Sequence, residues 1–502
     1  FMGDTFLKKV SNKMVQMDSE NFKFLISHNQ PEINTKLSEL EHLDANLLYS
    51  IDGLCQLDPN LNFPIFSPSK NYEYQECLQD FLICFDRVDP LGMSAKERIN
   101  YFWVLLGFFE KYFNDRNDIK SIIFCNVPHM PWDILLFYFA KFNNIKTLFF
   151  RKTGIAGYLN IDKDFRPGKS KIEFNYSESI TLSNKEDLNL ININQIKDLN
   201  FTKGLKGGSW IKNNSRFKEY IKKIAAYVNL GEILTTMRVI KEGRPIVAIK
   251  SDFKTKQIST FAAYRHFSWF DFLAVHFKYQ AKQRKLDSYY KSICIKSIPE
   301  RPFVYVSLHL QPERSTNPEG AHFDNQALMI KIISEAIPSD WCLVIKEHPK
   351  QFKYDLRTVH ARQLNFYKGI LKLDNAYFID LDIDQQLLID KSITSATVSG
   401  SVGWESLING KTCLLFSENW HSRCNASKYV YDVDSVKNAI DAYVKMDSKS
   451  VEQDVIDFLK KLSPSLVYGA LNNNHEQFFI PDEDKAFVVE NMVRALLERL
   501  EV

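Results

Sequence analysis

The sequence of 502 residues lacks the features that mark several specialised classes of protein. It contains no uninterrupted apolar run that approaches the roughly 20 residues of a membrane-spanning helix. Its first residues, FMGDTFLKKV, include no apolar signal core. Internal repeats and low-complexity segments are also missing. We therefore expect a soluble, cytoplasmic protein, and peripheral contact with the inner membrane stays open.

Cysteine is scarce and is not arranged for metal binding. The eight cysteines form no CxxC pair and show no Cys/His ligand spacing. Cys125 in SIIFCN and Cys413 in KTCLLF stand within apolar, strand-like runs, which predicts buried thiols. Such thiols are typical of a reducing cytoplasm.

A large excess of one charge is missing as well, because the net charge is only +3. This excludes a nucleic-acid binder that acts through its overall charge. The charge is uneven, however. Residues 211–300 carry 18 Lys and Arg against 7 Asp and Glu, so the remainder is net acidic. Such a basic segment suits a phosphate, an anionic glycan or a membrane surface.

Length and composition indicate a folded protein of two domains. Residues 1–100 read as mixed helices and loops. After them come a long apolar helix, KERINYFWVLLGFFEKYF, a strand, SIIFCN, a helix, WDILLFYFAKF, and a strand, KTLFFRK. Strand, helix and strand in this order predict a βαβ unit with a parallel sheet.

A second α/β series begins at Phe303. Its predicted strands are FVYVSLHL, WCLVIKEHP, AYFIDLD, ITSATVSGS and TCLLFSE. The helices between them are DNQALMIKIISEAI, DQQLLIDKS and GWESLINGK. This rhythm is typical of a doubly wound sheet. The end of the chain, DEDKAFVVENMVRALLERLEV, reads as an amphipathic helix.

These patterns together predict an α/β protein of the GT-B architecture, in which two Rossmann-like domains face a cleft. The N-terminal, acceptor-side domain would comprise residues 1–300, with a helical basic segment over 211–297. The C-terminal domain over 301–480 would bind the ligand, and residues 481–502 would form the C-terminal helix.

Ligands of open α/β sheets bind beyond the carboxyl ends of the strands, and SGSVGWE follows a strand of the second domain. Its small residues let backbone N–H groups approach an anion at a helix N-terminus. These residues are Ser399, Gly400, Ser401 and Gly403, and the two serines also supply hydroxyl donors. Glu405 would accept hydrogen bonds from ribose hydroxyls. The alternative is a Ser/Gly N-cap with Glu405 closing a capping box.

The stretch KEHP, at the end of another strand, presents Lys346 and His348. A histidine at this place is suited to bind a phosphate and to stabilise or protonate a phosphate leaving group. Pro349 would fix the direction of the loop. The alternative is a histidine that is hydrogen-bonded in a turn.

A third stretch, QPERST, places the carboxylate of Glu313 beside Arg314 and the hydroxyls of Ser315 and Thr316. A carboxylate at a cleft can act as a nucleophile, a base or a hydroxyl acceptor. Arg314 would keep Glu313 ionised at neutral pH. The alternative is an Arg–Glu surface pair in a turn, although Gln311 follows a strand that we expect to be buried.

The acidic stretch DLDID resembles a DxD metal site only superficially. Asp380 and Asp382 leave a strand, whereas Asp384 stands where it would cap the next helix. We therefore expect a strand end with an N-cap, and no metal.

In the first domain, the loop NVPHMPWD offers His129 and Asp133 at the end of a strand. They would face the cleft from the side where an acceptor should bind. Asp133 would equally serve as an N-cap of the following helix.

Residues 303–420 resemble the bacterial capsule-polysaccharide Kdo transferases. The likeness lies in FVYVSLHLQPERSTNPEG, FDNQALMI, KEHPKQF and TVSGSVGWESLINGKTCLLF, in that order. The histidine–proline and serine motifs are similar to those of bacterial sialyltransferases too. The resemblance implies a GT-B fold and retaining, CMP-sugar-dependent glycosyl transfer. It covers about a quarter of the chain, and residues 1–300 do not share it.

By this resemblance, His348 and the serines at 399 and 401 hold cytidine monophosphate (CMP), and Glu313 attacks the anomeric carbon. The implied donor site consists of Gln311, Arg314, Ser315, Lys346, His348, Pro349, Ser399, Gly400, Ser401, Gly403 and Glu405.

The predicted function is transfer of Kdo, or of a related nonulosonic acid such as pseudaminic acid, from CMP onto a capsule or lipopolysaccharide glycan. The leaving group is a phosphate monoester that cations and helix dipoles can stabilise, so we expect no metal cofactor. The partners would be the CMP-sugar and a glycan acceptor, lipid-linked acceptors included. Two alternatives stay open: a UDP-sugar epimerase of the same fold, and a non-catalytic glycan-binding or assembly protein.

Overall fold

The fold alternates strands and helices. The computed structural model describes residues 5–17, 21–27, 40–45, 47–49, 51–61, 72–88, 94–114, 116, 118–155, 157–166, 250–251, 258–259, 269–352, 358, 361–471, 480 and 484–501. The strands are Phe24–Ser27 (β1), Glu41–Asp44 (β2), Ser121–Phe124 (β3), Lys146–Lys152 (β4), Tyr158–Asp162 (β5), Lys250–Ser251 (β6), Ile258–Ser259 (β7), Phe303–Ser307 (β8), Cys342–Lys346 (β9), Ala376–Phe378 (β10), Thr394–Thr397 (β11), Thr412–Leu415 (β12), Ser427–Tyr429 (β13) and Val467–Tyr468 (β14). The helices are Thr5–Met17 (α1), Ile51–Leu57 (α2), Gln75–Val88 (α3), Ala95–Asn114 (α4), Pro131–Phe142 (α5), Trp269–Ile293 (α6), Gln326–Ala336 (α7), Leu364–Ile370 (α8), Gln385–Lys391 (α9), Ser401–Ile408 (α10), Val433–Tyr443 (α11), Ser448–Leu462 (α12) and Lys485–Glu501 (α13).

The C-terminal unit is built on a six-stranded sheet, all parallel, in the order β10-β9-β8-β11-β12-β13. Counted from the first strand of the unit, this is the doubly wound order of a Rossmann-type sheet. β8 is central, with Val304 opposite Leu343 of β9 on one side and Thr394 of β11 on the other. The predicted α/β series from Phe303 onward is confirmed, and the unpredicted β13 extends its edge.

Helices cover both faces of this sheet. Val304 and Val306 of β8 pack in the core that α7 and α11 complete. Phe303 and Tyr305 point the other way, into the core that α9 and α10 complete. Because neighbouring strand residues face opposite sides, such a sheet needs apolar residues at every position. With both faces covered, the carboxyl ends of the strands remain as the place for a ligand.

The N-terminal unit has a four-stranded sheet in the order β14-β5-β4-β3. β3, α5 and β4 form the predicted βαβ unit, with β3 and β4 parallel. β5 and β14 add antiparallel strands that the sequence patterns did not predict. A parallel pair, β1 with β2, also lies in the region predicted as helices and loops. The mixed α/β class with parallel sheets is thereby confirmed.

The last helix of the chain returns to the N-terminal unit. Met492 and Val493 of α13 share an apolar core with Leu148 of β4 and Leu159 of β5, and Val10 of α1 completes it. The predicted amphipathic helix at 481–502 is thus a layer of the first unit.

Other sequence expectations meet the structure only in part. The basic segment at 211–297 contains α6, but its residues 211–249, 252–257 and 260–268 lie outside the described ones. Cys413 is buried as predicted, whereas Cys125 is half-buried. Within the described ranges, no helix combines the length and apolarity needed to cross a membrane.

The two units meet through a buried cluster of charges. Arg151 of β4 donates to Asp162 of β5 and, across the boundary, to Glu319 of the C-terminal unit. All three side chains are at most 8% exposed. Burial alone would lower the pKa of Arg151, but the carboxylates of Glu319 and Asp162 outweigh it and raise that pKa.

We expect Glu319→Gln to lower the free energy of unfolding by about 3–5 kcal/mol, since removing one partner leaves buried charge uncompensated. Glu490→Gln, which breaks the exposed pair with Arg494, should cost about 0–1 kcal/mol. Urea unfolding of both variants measures the difference. Equal, small losses would contradict a structural role for the buried cluster.

Candidate functional site

Loops from three adjacent strands meet at one edge of the C-terminal sheet. QPERST follows β8, KEHP follows β9 and SGSVGWE follows β11. β8 lies between β9 and β11, so the point where the strand order reverses falls between β8 and β11. Such a switch point is where doubly wound sheets bind their ligands.

A histidine that sequence reasoning missed joins two of these loops. Nε2 of His309 accepts the backbone N–H of Ser399 at 3.1 Å and lies 3.0 Å from the hydroxyl of Thr397. An amide N–H can only donate, so the ring proton must be on Nδ1. Nδ1 therefore donates to Oε1 of Glu313, 2.7 Å away. His309 thus orients Glu313 from a buried position.

Glu313 is a carboxylate that is held ionised yet remains accessible. Its side chain is 35% exposed, against 4% for His309. The hydroxyl of Ser315 also donates to Oε1. Burial opposes ionisation, but the hydrogen bonds from His309 and Ser315 outweigh it, so the pKa of Glu313 lies below its ordinary value.

Arg314 does not form a surface pair with its neighbour Glu313, which was the alternative interpretation of QPERST. Its Nη1 donates to Oδ1 of Asn126 at 2.5 Å, in the other unit, and its Nε lies 3.0 Å from Glu319. The expected effect on Glu313 therefore comes from His309 and Ser315.

Gln311 and Thr316 stabilise the QPERST loop through hydrogen bonds within it and to Gln351. Gln311 is buried and donates from Nε2 to the Thr316 hydroxyl at 2.9 Å. Its backbone N–H donates to Gln351 at 2.7 Å. Gln311, which we expected in the donor site, thus holds the loop in place together with Thr316.

His348 of KEHP lies on the loop after β9, the strand next to β8. Its Nδ1 accepts the backbone N–H of Lys350 at 3.2 Å, which is the hydrogen bond in a turn that the alternative interpretation of KEHP described. Because Nδ1 accepts, the proton of the neutral ring is on Nε2. Burial lowers the pKa of His348, while Glu313 and Glu347 partly oppose this. Exposed Pro349 begins a short 3-10 helix at Pro349–Phe352.

Lys346 points elsewhere. Its ammonium group is buried and donates to the backbone carbonyl of Ile383. Burial lowers its pKa, against the influence of Asp384, Asp382 and Asp380. The structure therefore places Lys346 beside the DLDID stretch, apart from His348 and Glu313.

Glu347, between these two residues, is a buried anchor that the sequence did not reveal. Its carboxylate lies 2.9 Å from Nε of Arg362 and accepts from the Tyr367 hydroxyl at 2.8 Å. It also accepts the backbone N–H of His348 at 2.9 Å. Arg362 in turn donates to the carbonyl of His309 at 3.2 Å. One ion pair thus fixes the backbones that carry both histidines.

SGSVGWE begins α10, with Gly400 at the N-cap and no side chain capping it, so the alternative capping box is absent from this helix. The hydroxyl of Ser399 donates to the Ser315 carbonyl at 2.7 Å. Ser401 is exposed at the first helical position. A Cβ on Gly400 would come within 2.7 Å of Thr397 Oγ1, which explains why a larger residue does not fit.

The other two members of this stretch have structural partners. A Cβ on Gly403 would lie 2.9 Å from the ring of His421, so this glycine serves packing. Glu405 accepts from Gln385 Nε2 at 2.6 Å.

In DLDID, Asp384 caps α9 by accepting the backbone N–H groups of Gln386 and Leu387, as predicted. Asp380 pairs with Lys296 and accepts the backbone N–H of Asp382. Within the described part of the chain, no three His, Cys, Asp or Glu residues are grouped to hold a metal ion.

His129 and Asp133 lie on the N-terminal unit. Asp133 stands at the third position of α5 and accepts the backbone N–H groups of His129 and Met130, at 2.7 and 2.6 Å. Burial raises its pKa to about 7. Nδ1 of His129 donates to the Val127 carbonyl at 2.7 Å. This loop contacts QPERST through the bond from Arg314 to Asn126.

Comparison with known proteins gives no family. No family model matches the chain. No curated protein matches it. Solved structures match only at low identity. The chain is similar to the UDP-GlcNAc 2-epimerase of Methanocaldococcus jannaschii in complex with UDP-GlcNAc and UDP, at 15% identity over 37% of this chain and 51% of that one, with a TM-score of 0.23.

It is also similar to KpsC, a beta Kdo 2,7 transferase of Thermosulfurimonas dismutans, at 12% identity over 43% of this chain and 64% of that one, with a TM-score of 0.23. A third likeness is to the C-terminal domain of LpcC, a group 1 glycosyl transferase of Francisella tularensis, at 11% identity over 37% and 90%, with a TM-score of 0.22. The chain thus spans about half the length of the epimerase and less than two thirds of KpsC. At these identities and TM-scores, the matches assign the chain neither a family nor a substrate.

Proposed function

We propose that the protein is a retaining glycosyltransferase of GT-B architecture that moves Kdo, or a related nonulosonic acid such as pseudaminic acid, from CMP to a capsule or lipopolysaccharide glycan. The observation that carries the proposal is the position of Glu313 at the switch point of the sheet, where the buried His309 holds its carboxylate. Glu313 is an accessible carboxylate with a lowered pKa, and His348 lies on the neighbouring loop, after β9. The transfer would take place in the cytoplasm, and it would take place at the inner membrane if the acceptor is lipid-linked.

The chemistry assigns one role to each group. The Glu313 carboxylate attacks the anomeric carbon, and the bond from that carbon to the CMP phosphate breaks, with the electron pair leaving on CMP. The acceptor hydroxyl then displaces Glu313 from the covalent intermediate and loses its proton to a base. Two displacements give net retention.

Stabilisation of the leaving phosphate falls to His348 and to the N-terminus of α10. The Nε2–H of His348 is suited to donate to a phosphate oxygen. The first N–H groups of α10 and the exposed Ser401 hydroxyl add donors and a favourable dipole. Lys346, which we expected in the donor site, donates to the carbonyl of Ile383. The proposed route needs no metal for this step.

His348→Ala should weaken CMP binding by about 1.5–3 kcal/mol, because a hydrogen bond to a charged phosphate is lost. His322→Ala, an exposed histidine of the same unit, is the control and should bind normally. Isothermal titration with CMP and, in parallel, UDP measures both. Unchanged CMP affinity would remove His348 from the site, and a preference for UDP would favour the epimerase alternative.

Glu313→Gln should fold, bind CMP and lose nearly all transfer, because an amide cannot form the glycosyl ester. Glu335→Gln, on an exposed carboxylate, is the matched control. With a CMP-sugar alone, the unaltered enzyme should gain the mass of one sugar on a peptide that contains Glu313. Mass spectrometry that finds the adduct on another residue would rule Glu313 out as nucleophile.

The acid side of the pH profile should depend on Ser315. Hydrogen bonds depress the pKa of Glu313, so its carboxylate persists as the pH falls and is lost only below its ordinary pKa. Ser315→Ala removes one such bond and should move the acid limb of kcat/KM upward by about one pH unit. The exposed Ser450→Ala is the control. An unmoved acid limb would mean that Glu313 is not the titrating group.

A further inference from the structure

Arg87, near the end of α3, is a buried cation that forms no ion pair with any carboxylate in the described part of the chain. It is 8% exposed, and its Nε has no hydrogen-bond partner among the described residues. Its Nη2 donates to the weak acceptor Sγ of Cys84, at 3.3 Å. Burying a guanidinium is unfavourable unless the group is paired and hydrogen-bonded. Arg87 is therefore short of an anion.

Arg87 lies on α3, which contacts both the loop after β3 and the loop after β8, the loop that contains QPERST. Sγ of Cys84 donates to the His129 carbonyl at 3.0 Å, which joins α3 to the loop after β3. Nδ2 of Asn317 donates to the carbonyl of Ile83 at 2.8 Å, which joins α3 to the loop after β8. Arg314 joins that loop to Asn126. Arg87 and Arg314 thus approach the same place from opposite units.

The electrostatic potential around His129, near Arg87 and Arg314, is positive. Burial, then Arg87, then Arg314 hold the pKa of His129 well below its ordinary value, so both guanidinium groups act on one ring. Burial and Arg314 likewise lower the pKa of Lys152 at the rim. The local anion Glu319 is shared between Arg314 and Arg151.

Asp133 adds little negative charge. Its carboxyl group is committed to two backbone N–H groups, and its pKa of about 7 keeps it partly protonated at neutral pH. Cationic charge therefore exceeds anionic charge beside Arg87.

We propose that Arg87 and Arg314 form a subsite for an oxyanion, a carboxylate or a phosphate, carried by the acceptor. Arg314 follows Glu313 in the same loop, so a group bound here would be held by the loop that carries the proposed nucleophile. This proposal rests on the transferase function proposed above. It names the acceptor as an acidic glycan or a phosphate-bearing one.

The test is isothermal titration at constant ionic strength with galacturonate, with galactose as the uncharged control, and with inorganic phosphate. Each titration is run with CMP present, which fills the donor site, and again without CMP in His348→Ala. We expect at least one anion to bind and galactose not to. The anion that binds more tightly identifies the class, a carboxylate or a phosphate.

Arg87→Met should weaken anion binding at least tenfold, whereas Arg494→Met, which removes an exposed arginine of α13, should leave it unchanged. If Arg87→Met loses the native circular dichroism spectrum, Arg314→Met, which removes the second arginine of the subsite, replaces it in the same titrations. Absent anion binding, or equal affinity in the tested variant, overturns the subsite. Failure of CMP to bind overturns the transferase proposal instead, and the CMP-free titration still decides the subsite.

Discussion

The geometry of the candidate site depends on an arginine of one unit that is buried against a carboxylate of the other. Arg151 is fixed by Asp162 within its own sheet and reaches Glu319 at the end of the loop that carries Glu313. Buried charges of this kind are costly unless they are paired. The loop of the candidate nucleophile is therefore held by both units.

Much of the fold could be predicted because parallel strands that are buried on both faces read as continuous apolar runs. Phe303–Ser307 and Cys342–Lys346 are strands of this kind. Tyr158–Asp162 was missed because its polar residues satisfy nonlocal partners, such as Asp162 with Arg151. Val467–Tyr468 is two residues long and exists only because the chain returns to β5. Neither β5 nor β14 therefore shows a pattern in its own residues that predicts a strand.

The position of the site followed from topology, but the roles of single side chains did not. Polar motifs after β8, β9 and β11 had to meet at one sheet edge. His309 reads in the sequence as the continuation of a strand, and its function depends on Ser399, 90 positions away. Lys346 was misplaced for the same reason, since the carbonyl that binds it belongs to Ile383. Side-chain direction at a strand end is decided by distant partners.

The return of α13 to the first unit bears on how the protein is made. The apolar face of β4 and β5, with Leu148 and Leu159, is covered by Met492 and Val493. During synthesis, the ribosome delivers those two residues only after the whole C-terminal sheet has emerged. The six-stranded unit has its own core and can fold first. The unit that is translated first is thus completed last, and this face of its sheet stays uncovered in the interval.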